Sequence, residues 1–441
     1  MAVTACHKLM QSRHPVKARE FAEEVVRQLR AAGYESLWAG GCVRDELMGR
    51  EPKDYDVATN ATPPQIRDVF GRRRTLPIGA SFGVITVLGR EQQGQIDVAT
   101  FRRDAGYSDG RHPDRVEFCD AQEDAQRRDF TINGLFFDPV EQRVLDYVGG
   151  QADLDRCVIR AIGDPAARIA EDKLRMLRAV RFASTLGFEI DAGTWAAVSR
   201  EAPGIRTVSA ERITEELRRM LIHPDRPRAI ELLRDSGLLH EIFPEMEGVL
   251  PRLEPAAESQ ALAWDRTLRI LEHLIEPSFA VAFAVLCREI WLARGADTSW
   301  FVDLCRRMRF ANDVGDTARF CLQHEALVRE AGRQPWPRLQ RVLIHRYVSR
   351  LLDFADAVAR VLDPDVGQVE LCRRYMQLPS EQLNPPPLIR GDDLLALGLP
   401  KGPLFRDILE QARDAQLLRQ LSDRASALEW VRQRWGARLS S

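Results

Sequence analysis

The stretch Gly40-Gly41-Cys42-Val43-Arg44-Asp45, followed by Asp54-Tyr55-Asp56, decides how the first part of this chain folds. A Gly-Gly turn ahead of a helix is suited to hold phosphates, because the first backbone N–H groups of a helix have no partner within it. Residues two apart on a strand point to the same side, so Asp54 and Asp56 project together. Such carboxylates repel each other unless a cation lies between them, and hard oxygen ligands suit Mg²⁺. The stretch therefore predicts a site for a metal-bound nucleoside triphosphate.

A third carboxylate, Asp97, is placed to join this site. Within residues 95–99 its apolar neighbours point to one side of a predicted strand and Asp97 points to the other. If that strand lies beside the first, we expect three acids to converge on the metal and serve an in-line attack at an α-phosphate. The backbone N–H of Gly41 would bind phosphate oxygens, and Arg44 would add a charged contact. Asp-x-Asp also occurs in ordinary loops, so this interpretation depends on the Gly-Gly turn and the strand context.

Composition indicates a largely helical protein of more than one domain. The chain has 441 residues, of which 45% are hydrophobic, and this length exceeds one ordinary domain. No apolar run is long enough to span a bilayer, and residues 1–10 lack the apolar segment of a secretory signal. The eight cysteines include no C-x-x-C pair. We therefore expect neither a zinc site nor a disulfide framework, and a reducing cytoplasm fits.

The charge pattern leaves nucleic-acid binding open. The formal net charge is -2, but 58 of the 63 basic residues are Arg and five are Lys. Arg suits bidentate contacts with phosphates and bases. A GC-rich coding bias explains the same excess, so composition does not decide between the two explanations.

The hydrophobic pattern changes character near residue 150. Before that point strand patterns alternate with helical ones, and after residue 159 only helical patterns remain. The predicted strands are 36–39, 54–58, 82–88, 95–101 and a pair within 136–147, after a first helix over 17–32. The predicted later helices are 171–186, 210–221, 226–236, 264–274, 280–293 and 338–361. We therefore predict an α/β head with a small mixed sheet, followed by all-α segments.

Further motifs give the chain a family resemblance. They are Arg127-Arg128-Asp129-Phe130-Thr131-Ile132-Asn133, then Glu171-Asp172-Lys173-Leu174-Arg175 continuing to Phe182, and Gly391-Asp392-Asp393-Leu394-Leu395-Ala396-Leu397-Gly398. With the opening stretch, they resemble the class II tRNA nucleotidyltransferases, which comprise the CCA-adding enzymes and the bacterial poly(A) polymerases. The resemblance implies a polymerase-β-like head followed by a helical neck, body and tail.

The resemblance also assigns roles and segment boundaries. It makes Gly41 and Arg44 nucleotide-binding, Asp54 and Asp56 metal-binding and catalytic, and Arg128 triphosphate-binding. The strand pattern described above, and not the resemblance, adds Asp97 as a third catalytic acid. A nucleotide-binding helix would carry Asp172, Arg175, Arg178 and Arg181. The implied segments are an N-terminal extension (1–20), the head (21–150), the neck (151–222), the body (223–377) and a tRNA-binding tail (378–441).

A pair of side chains on that helix could select the base without a template. Asp172 and Arg175 are three residues apart, which makes them neighbours on one helix face. Asp accepts hydrogen bonds and Arg donates them, which matches the exocyclic amine and ring nitrogen of cytosine and adenine but not guanine or uracil. An ordinary surface ion pair has the same spacing. Arg181 lies on roughly the opposite side from Asp172, so we expect it to contact a phosphate, RNA or a neighbouring helix.

Two other segments resemble parts of the family. Arg102–Ala125 is polar and Gly-bearing, like the flexible loop associated with the switch from C to A addition, although any surface loop would look similar. In the body, residues 264–268 and 285–290 resemble a metal phosphohydrolase domain of some relatives. That domain needs His and His-Asp where Arg266, Arg288 and Glu289 stand. We therefore expect no second metal site there.

The sequence thus predicts an enzyme that adds CCA to the 3′ end of tRNA from CTP and ATP with Mg²⁺. Five Arg and no acid within 333–350, with Trp336, His345 and Tyr347, could grip RNA, although a solvated helix face fits as well. A poly(A) polymerase and a CC-only or A-only enzyme remain open alternatives. A non-catalytic RNA-binding protein is the alternative from another class.

Overall fold

The computed structural model describes residues 15–90, 93–105, 115–249, 258–295, 297–363, 367–399 and 402–435. The chain forms two compact units, one of Met1–Met220 with Arg228–Pro244 and the other of Leu221–Pro227 with Glu245–Ser441. Residues 228–244, assigned to the body by the resemblance, thus group with the first unit. The finer five-segment division stays a prediction.

The strands lie in the first unit and mostly form one mixed sheet. They are β1 (Ser36–Ala39), β2 (Asp56–Thr59), β3 (Thr75–Gly79), β4 (Val84–Leu88), β5 (Gln95–Thr100), β6 (Arg102–Ala105), β7 (Arg115–Phe118), β8 (Leu135–Asp138), β9 (Arg143–Asp146), β10 (Val158–Ile159) and β11 (Glu189–Ile190). Seven of them pair in the order β3-β4-β5-β2-β1-β8-β9. Within this sheet β2 and β5 are parallel and the other pairs are antiparallel. The predicted small mixed sheet is therefore confirmed.

The helices before residue 245 flank this sheet and continue beyond it. They are α1 (Pro15–Ala31), α2 (Gly41–Leu47), α3 (Pro63–Phe70), α4 (Ala121–Gln126), α5 (Gly150–Asp155), α6 (Pro165–Glu171), α7 (Leu174–Leu186), α8 (Ala192–Glu201), α9 (Ala210–Leu221), α10 (Arg226–Asp235) and α11 (Leu238–Ile242). The helix predicted over 17–32 corresponds to α1, whose Phe21, Val25 and Leu29 are fully buried. This apolar stripe is what anchors the helix, because α1 packs on β1, β2 and β5.

The two faces of the sheet are covered to different extents. On one face Trp38, Val57 and Val98 are fully buried beneath α1. On the other face Leu37, Ala39 and Ala58 form a cluster with Phe101, Phe136 and the two Ala of α4. Because α4 is short, it covers only part of that face. The uncovered part carries Asp56 and Asp97, both of which reach solvent.

The second unit is helical throughout its described residues. Its helices are α12 (Glu258–His273), α13 (Phe279–Arg294), α14 (Ser299–Arg307), α15 (Asn312–Arg329), α16 (Trp336–Leu343), α17 (Val348–Leu362), α18 (Gly367–Met376), α19 (Ser380–Leu383), α20 (Gly391–Ala396), α21 (Pro403–Leu417) and α22 (Arg424–Trp435). Helix α13 is buried from Phe279 to Ile290 and packs on α12, α15 and α17. The last three helices have a core of their own around Leu394, Ile408 and Val431.

The fold class predicted from the sequence is confirmed, and three details are corrected. The helix predicted over 171–186 is broken, because Asp172 has an extended backbone (φ -145°) between α6 and α7. The helix predicted over 338–361 is two helices, α16 and α17, separated by a turn in which the His345 ring stacks on Phe320. A strand also lies beyond residue 159, since β11 pairs in parallel with β10.

Two segments predicted from the sequence lie partly outside the described residues. The tip of the predicted flexible loop, residues 106–114, lies outside the described residues, and its flanks form the antiparallel hairpin of β6 and β7. Most of the predicted N-terminal extension also lies outside them. Within the described ranges, no helix is both long and apolar enough to cross a bilayer.

Candidate active site

The register of the sheet sets a row of side chains across its open face. Asp56 of β2 is the direct partner of Asp97 in β5, Asp97 that of Thr86 in β4, and Thr86 that of Leu76 in β3. Directly paired residues share a face, so these four side chains lie on the same side of the sheet. The prediction that Asp97 lies beside the Asp-x-Asp strand is therefore confirmed.

Asp54, Asp56 and Asp97 do not form one cluster of metal ligands in this structure. Among the described residues, no group of three or more His, Cys, Asp and Glu side chains is arranged to hold a metal ion. The reason is local, because Asp54 precedes β2, which begins only at Asp56, so the sheet does not fix the Asp54 side chain. The assembled element is the pair Asp56 and Asp97, and Asp54 lies exposed beside it.

The electrostatics of Asp56 show how this pair would receive a cation. The pKa of Asp56 is raised to about 6, first by partial desolvation of the carboxyl and also by the charges of Asp97 and Asp54, whereas Arg128 opposes the shift. Repulsion between neighbouring carboxylates is what a divalent cation relieves. An all-oxygen donor set of this kind fits Mg²⁺ by its chemistry.

The Gly-Gly turn and Arg128 lie against each other. Gly40 joins β1 to α2 with a positive φ of 74°, and a Cβ at this position would lie 2.9 Å from Nη1 of Arg128. Only glycine therefore permits this approach. The Arg128 guanidinium is held in place, because its Nε and Nη2 donate to Asp124 at 3.1 and 2.9 Å and it lies 4.9 Å from the centre of the Phe136 ring. The structure thus brings together two motifs that are 88 residues apart in the chain.

Arg44 and Asp129 form a buried network behind this turn. Arg44 is only 8% exposed and donates through Nη1 to Oδ1 of Asn133 at 2.7 Å. Asp129 accepts hydrogen bonds from the Asn133 amide at 3.1 Å and from Nε of Arg178 at 2.7 Å. Burial alone would raise the pKa of Asp129, but Arg178 and these hydrogen bonds outweigh it and lower the pKa to about 2. The predicted nucleotide-binding Arg44 is thus tied to the Arg127–Asn133 motif.

Asp172 and Arg175 are not the adjacent pair on one helix that their spacing predicts. Asp172 lies before α7 and accepts from the backbone N–H of Leu174 at 3.0 Å, so its side chain caps the helix. Nη1 and Nη2 of Arg212 hold its two oxygens at 3.2 and 2.7 Å. Arg175 instead donates to Glu171 at 2.6 Å. Each member of the expected pair therefore has a different ionic partner.

The other two arginines of the predicted helix are also bound within the protein. Nη2 of Arg178 lies 2.5 Å from Oδ2 of Asp129. Nε of Arg181 donates to Glu216 of α9 at 2.5 Å, and the Arg181 guanidinium lies 4.0 Å from the centre of the Phe182 ring. Contact with a neighbouring helix, one of the roles predicted for Arg181, is therefore observed.

Sequence reasoning missed Arg212 and Glu216. Both lie on α9, four residues apart, and α9 corresponds closely to the predicted helix over 210–221. Their roles come from partners 35 and 40 residues away in the chain, Arg181 and Asp172. The available signal was a charged pair on a strongly amphipathic helix, and that signal does not identify distant partners.

In the body, ion pairs occupy the positions that resemble a phosphohydrolase site. Arg266 donates to Glu289 at 2.6 Å, and Arg288 donates to Glu289 at 2.8 Å. Arg288 also holds both oxygens of Glu325, at 2.8 and 3.1 Å. Arg288, Glu289 and Glu325 are buried in the helical core, and Arg266 reaches them from a partly exposed position.

Comparison with known proteins places this geometry in a family. A family model described as the Poly A polymerase head domain matches residues 37–160. A curated CCA-adding enzyme of Lactobacillus gasseri is 32% identical over 413 residues, which cover 92% of this chain and 94% of that protein. One of Geobacillus kaustophilus is 31% identical, covering 89% and 91%. The chain belongs to the CCA-adding enzyme family.

Solved CCA-adding enzymes share the fold. The crystal structure of the Bacillus stearothermophilus CCA-adding enzyme in complex with CTP matches with a TM-score of 0.73 at 26% identity, over 96% of this chain and 98% of that one. The Thermotoga maritima CCA-adding enzyme complexed with tRNA matches the fold at 18% identity with a TM-score of 0.63, over 96% and 99%. A second family model, described as a probable RNA and SrmB- binding site of polymerase A, matches residues 187–250, which include α9 to α11.

For this CCA-adding enzyme family member, we predict that the Asp129→Asn variant loses an acid-sensitive part of its stability. The pKa of Asp129 is lowered on folding from 3.8 to about 2, so its contribution is present above pH 3.8 and is lost as the pH falls towards 2. The contribution is about 2 kcal/mol at pH 6. Denaturant unfolding of the wild type and the variant between pH 6 and pH 3 measures it, with the exposed Asp155→Asn as the control. A difference in unfolding free energy that does not shrink as the pH falls would contradict the prediction.

Proposed function

We propose that this chain adds CCA to the 3′ end of tRNA from CTP and ATP and releases pyrophosphate. The observation that carries the proposal is the Asp56–Asp97 pair beside Gly40 and Arg128, in a chain that matches CCA-adding enzymes along nine-tenths of its length. The solved relatives include complexes with CTP, with ATP and with tRNA, and these are the ligands that we propose here. The described cysteines are free thiols, which supports a cytoplasmic location.

The site divides the chemical work among its residues. Arg128 and the backbone at Gly41 would bind the triphosphate, with Arg128 oriented by Asp124. Asp56 and Asp97 would hold Mg²⁺, and Asp54, which the sheet does not fix, would turn towards the bound ion as a third ligand. Once bound, Mg²⁺ would lower the pKa of the RNA 3′-hydroxyl and neutralise charge on the triphosphate. The 3′-hydroxyl would give its proton to water, and its oxygen would form a bond to the α-phosphorus as the bond from that phosphorus to the departing pyrophosphate breaks. Positioning and charge stabilisation are the main contributions of the protein in such a transfer.

Base selection would fall to Asp172 and Arg175. A carboxylate has about four acceptor positions, and the donors seen on Asp172 are two N–H groups of Arg212 and the N–H of Leu174. One position thus remains to accept from the exocyclic amine of cytosine or adenine. Arg175 would donate to the ring nitrogen, and Arg212 would keep the Asp172 carboxylate oriented. Guanine and uracil present a donor where Arg175 also donates, so the pocket would refuse them.

The RNA surface would include the second unit. Along 333–350, the Arg346 guanidinium lies 4.4 Å from the centre of the Tyr347 ring, and the His345 ring stacks on Phe320 at 4.0 Å. Arg341 is partly neutralised by Asp414 at 2.6 Å. Exposed Arg beside aromatic rings favours contacts with a sugar-phosphate backbone, so we expect the RNA to be read mainly by shape.

A single extension assay tests the proposal. Purified protein receives a tRNA lacking CCA, a tRNA lacking only the final A, or a generic RNA, with CTP, ATP or both. We expect three nucleotides, and no more, on the first tRNA, because the enzyme would complete CCA and stop. Gel electrophoresis at single-nucleotide resolution measures the product length. Long A-tracts on any RNA would indicate a poly(A) polymerase, and addition limited to CC or to A would indicate a specialist.

We predict that Asp56→Ala and Asp54→Ala lower kcat by at least a hundredfold, since removing a ligand of the metal abolishes the charge stabilisation that the transfer needs. The same tRNA extension under initial-rate conditions measures the loss. Asp155→Ala, which removes an exposed carboxylate elsewhere in the first unit, is the matched control and should retain full activity. Survival of activity in Asp56→Ala would overturn the metal assignment, whereas a wild type that binds tRNA and extends none would favour the non-catalytic RNA-binding alternative.

We further predict that Asp172→Ala and Arg175→Ala weaken the choice of base more than they weaken RNA binding. The ratio of kcat/KM for CTP to that for UTP should fall by about tenfold or more in each variant, because the site loses a polar group that rejects the wrong base. Competition assays with the four nucleotides measure this ratio, and tRNA binding by filter retention is the control. An unchanged ratio would show that base selection lies elsewhere.

A further inference from the structure

Thr86 contacts one of the catalytic acids directly. Its Oγ1 donates to Oδ1 of Asp97 at 2.6 Å, and the two residues are direct partners in the antiparallel pair β4 and β5. Thr86 is 9% exposed, whereas Asp97 reaches solvent. A hydroxyl-to-oxygen distance this short is typical of a hydrogen bond to an ionised carboxylate.

This hydrogen bond restricts a side chain that would otherwise turn. The carboxyl group of an aspartate rotates over a broad range about its last torsion. Asp97 lies in register with Asp56, and the two charges repel each other, so a free Asp97 would turn away from Asp56. Bonding Oδ1 to Thr86 opposes that rotation and leaves Oδ2 outside this bond. The donor is itself rigid, because a β-branched threonine in a strand has few χ1 options.

The neighbours of Thr86 in the sheet offer no other explanation for a hydroxyl at this position. Its partner on the other side is Leu76 of β3, whose side chain neither donates nor accepts. A hydrophobic residue in place of Thr86 would fill the same space in the sheet, so packing alone does not require a hydroxyl. The polar group is therefore explained by Asp97.

We propose that Thr86 is a positioning residue for the nucleotidyl transfer. Its hydroxyl fixes the carboxylate of Asp97 beside Asp56, in an orientation in which both acids would be able to hold Mg²⁺. The inference rests on the proposed function, and it adds a residue that lies outside the motifs singled out in the sequence. Partners that orient metal ligands typically change metal affinity or activity by tenfold to a hundredfold when they are removed.

The test compares three single variants of the full chain. Thr86→Val keeps the shape and removes the hydroxyl, and Thr86→Ser keeps the hydroxyl. Thr100→Val removes another buried hydroxyl of β5, one that donates to the Ala61 carbonyl at 2.7 Å on the opposite face of the sheet. Mn²⁺ binding is followed by the electron paramagnetic resonance signal of the free ion, in the presence of a CTP analogue with a methylene between its α- and β-phosphorus atoms.

We expect Mn²⁺ affinity about tenfold weaker in Thr86→Val and close to wild type in Thr86→Ser and Thr100→Val. In the extension assay Thr86→Val should lower kcat by a similar factor and leave KM for CTP within about twofold, because Arg128 and Asp172 are untouched. Equal Mn²⁺ affinity in the wild type and Thr86→Val would overturn the inference. An equal loss in Thr86→Ser or Thr100→Val would also overturn it, since the effect would then come from a weakened sheet.

Thermal unfolding of each variant accompanies these measurements. If Thr86→Val folds poorly, Thr86→Ala removes the same hydroxyl, and its comparison with Thr86→Ser decides the question. The failure of the proposed function is distinct from the failure of this inference. A wild-type protein that extends no tRNA contradicts the function, whereas an active wild type with an equally active and metal-binding Thr86→Val contradicts only the role of Thr86.

Discussion

The parallel pairing of β2 with β5 is the constraint on which the active site depends. It lies between two antiparallel pairs and sets Asp56 directly beside Asp97. A slip of one residue would turn the whole strand over and exchange its faces. If β2 slipped, Val57 would leave the core beneath α1 and the Asp56 carboxylate would enter it, and a slip of β5 would do the same to Val98 and Asp97. The burial of Val57 and Val98 on one face of the sheet thus holds the repelling carboxylates of Asp56 and Asp97 side by side on the other face.

The arginines near the site are preorganised by acids. Asp124 holds Arg128, Asp129 holds Arg178, and Glu216 holds Arg181. A guanidinium has five N–H donors, so a bond to one carboxylate leaves others for a phosphate or a base. At least these three arginines of the Arg-rich chain therefore have structural partners that the composition did not reveal. The motif from Arg127 to Asn133 contributes to several of these contacts and links the open face of the sheet to α7.

Much of the fold was predicted from the hydrophobic periodicity of the sequence. The wrongly predicted helix boundaries have a common cause. Apolar spacing identified α1, α9 and the strands β4 and β5 because each element buries one regular face. It failed at Asp172, where the helical pattern continues through the residue that caps the next helix. It failed again between α16 and α17, where the break contains neither Gly nor Pro and is occupied by an aromatic stack involving His345. In both places the helical pattern runs through a residue whose side chain makes an interaction that the local sequence does not reveal.

The sequence by itself determined the family, the order of an α/β head and helical segments, and the acids and arginines of the site. These are encoded in short motifs whose residues are close together in the chain, such as Gly40-Gly41 and Asp54-Tyr55-Asp56. Only the tertiary structure decided that Asp54 stays outside the assembled carboxylate pair, that Arg212 holds Asp172, and that Thr86 bonds Asp97. The physical reason is that strand register and ion pairing join residues that are distant in sequence. Spacing along the chain predicts which groups share a strand or helix, but the packing of the core selects their partners.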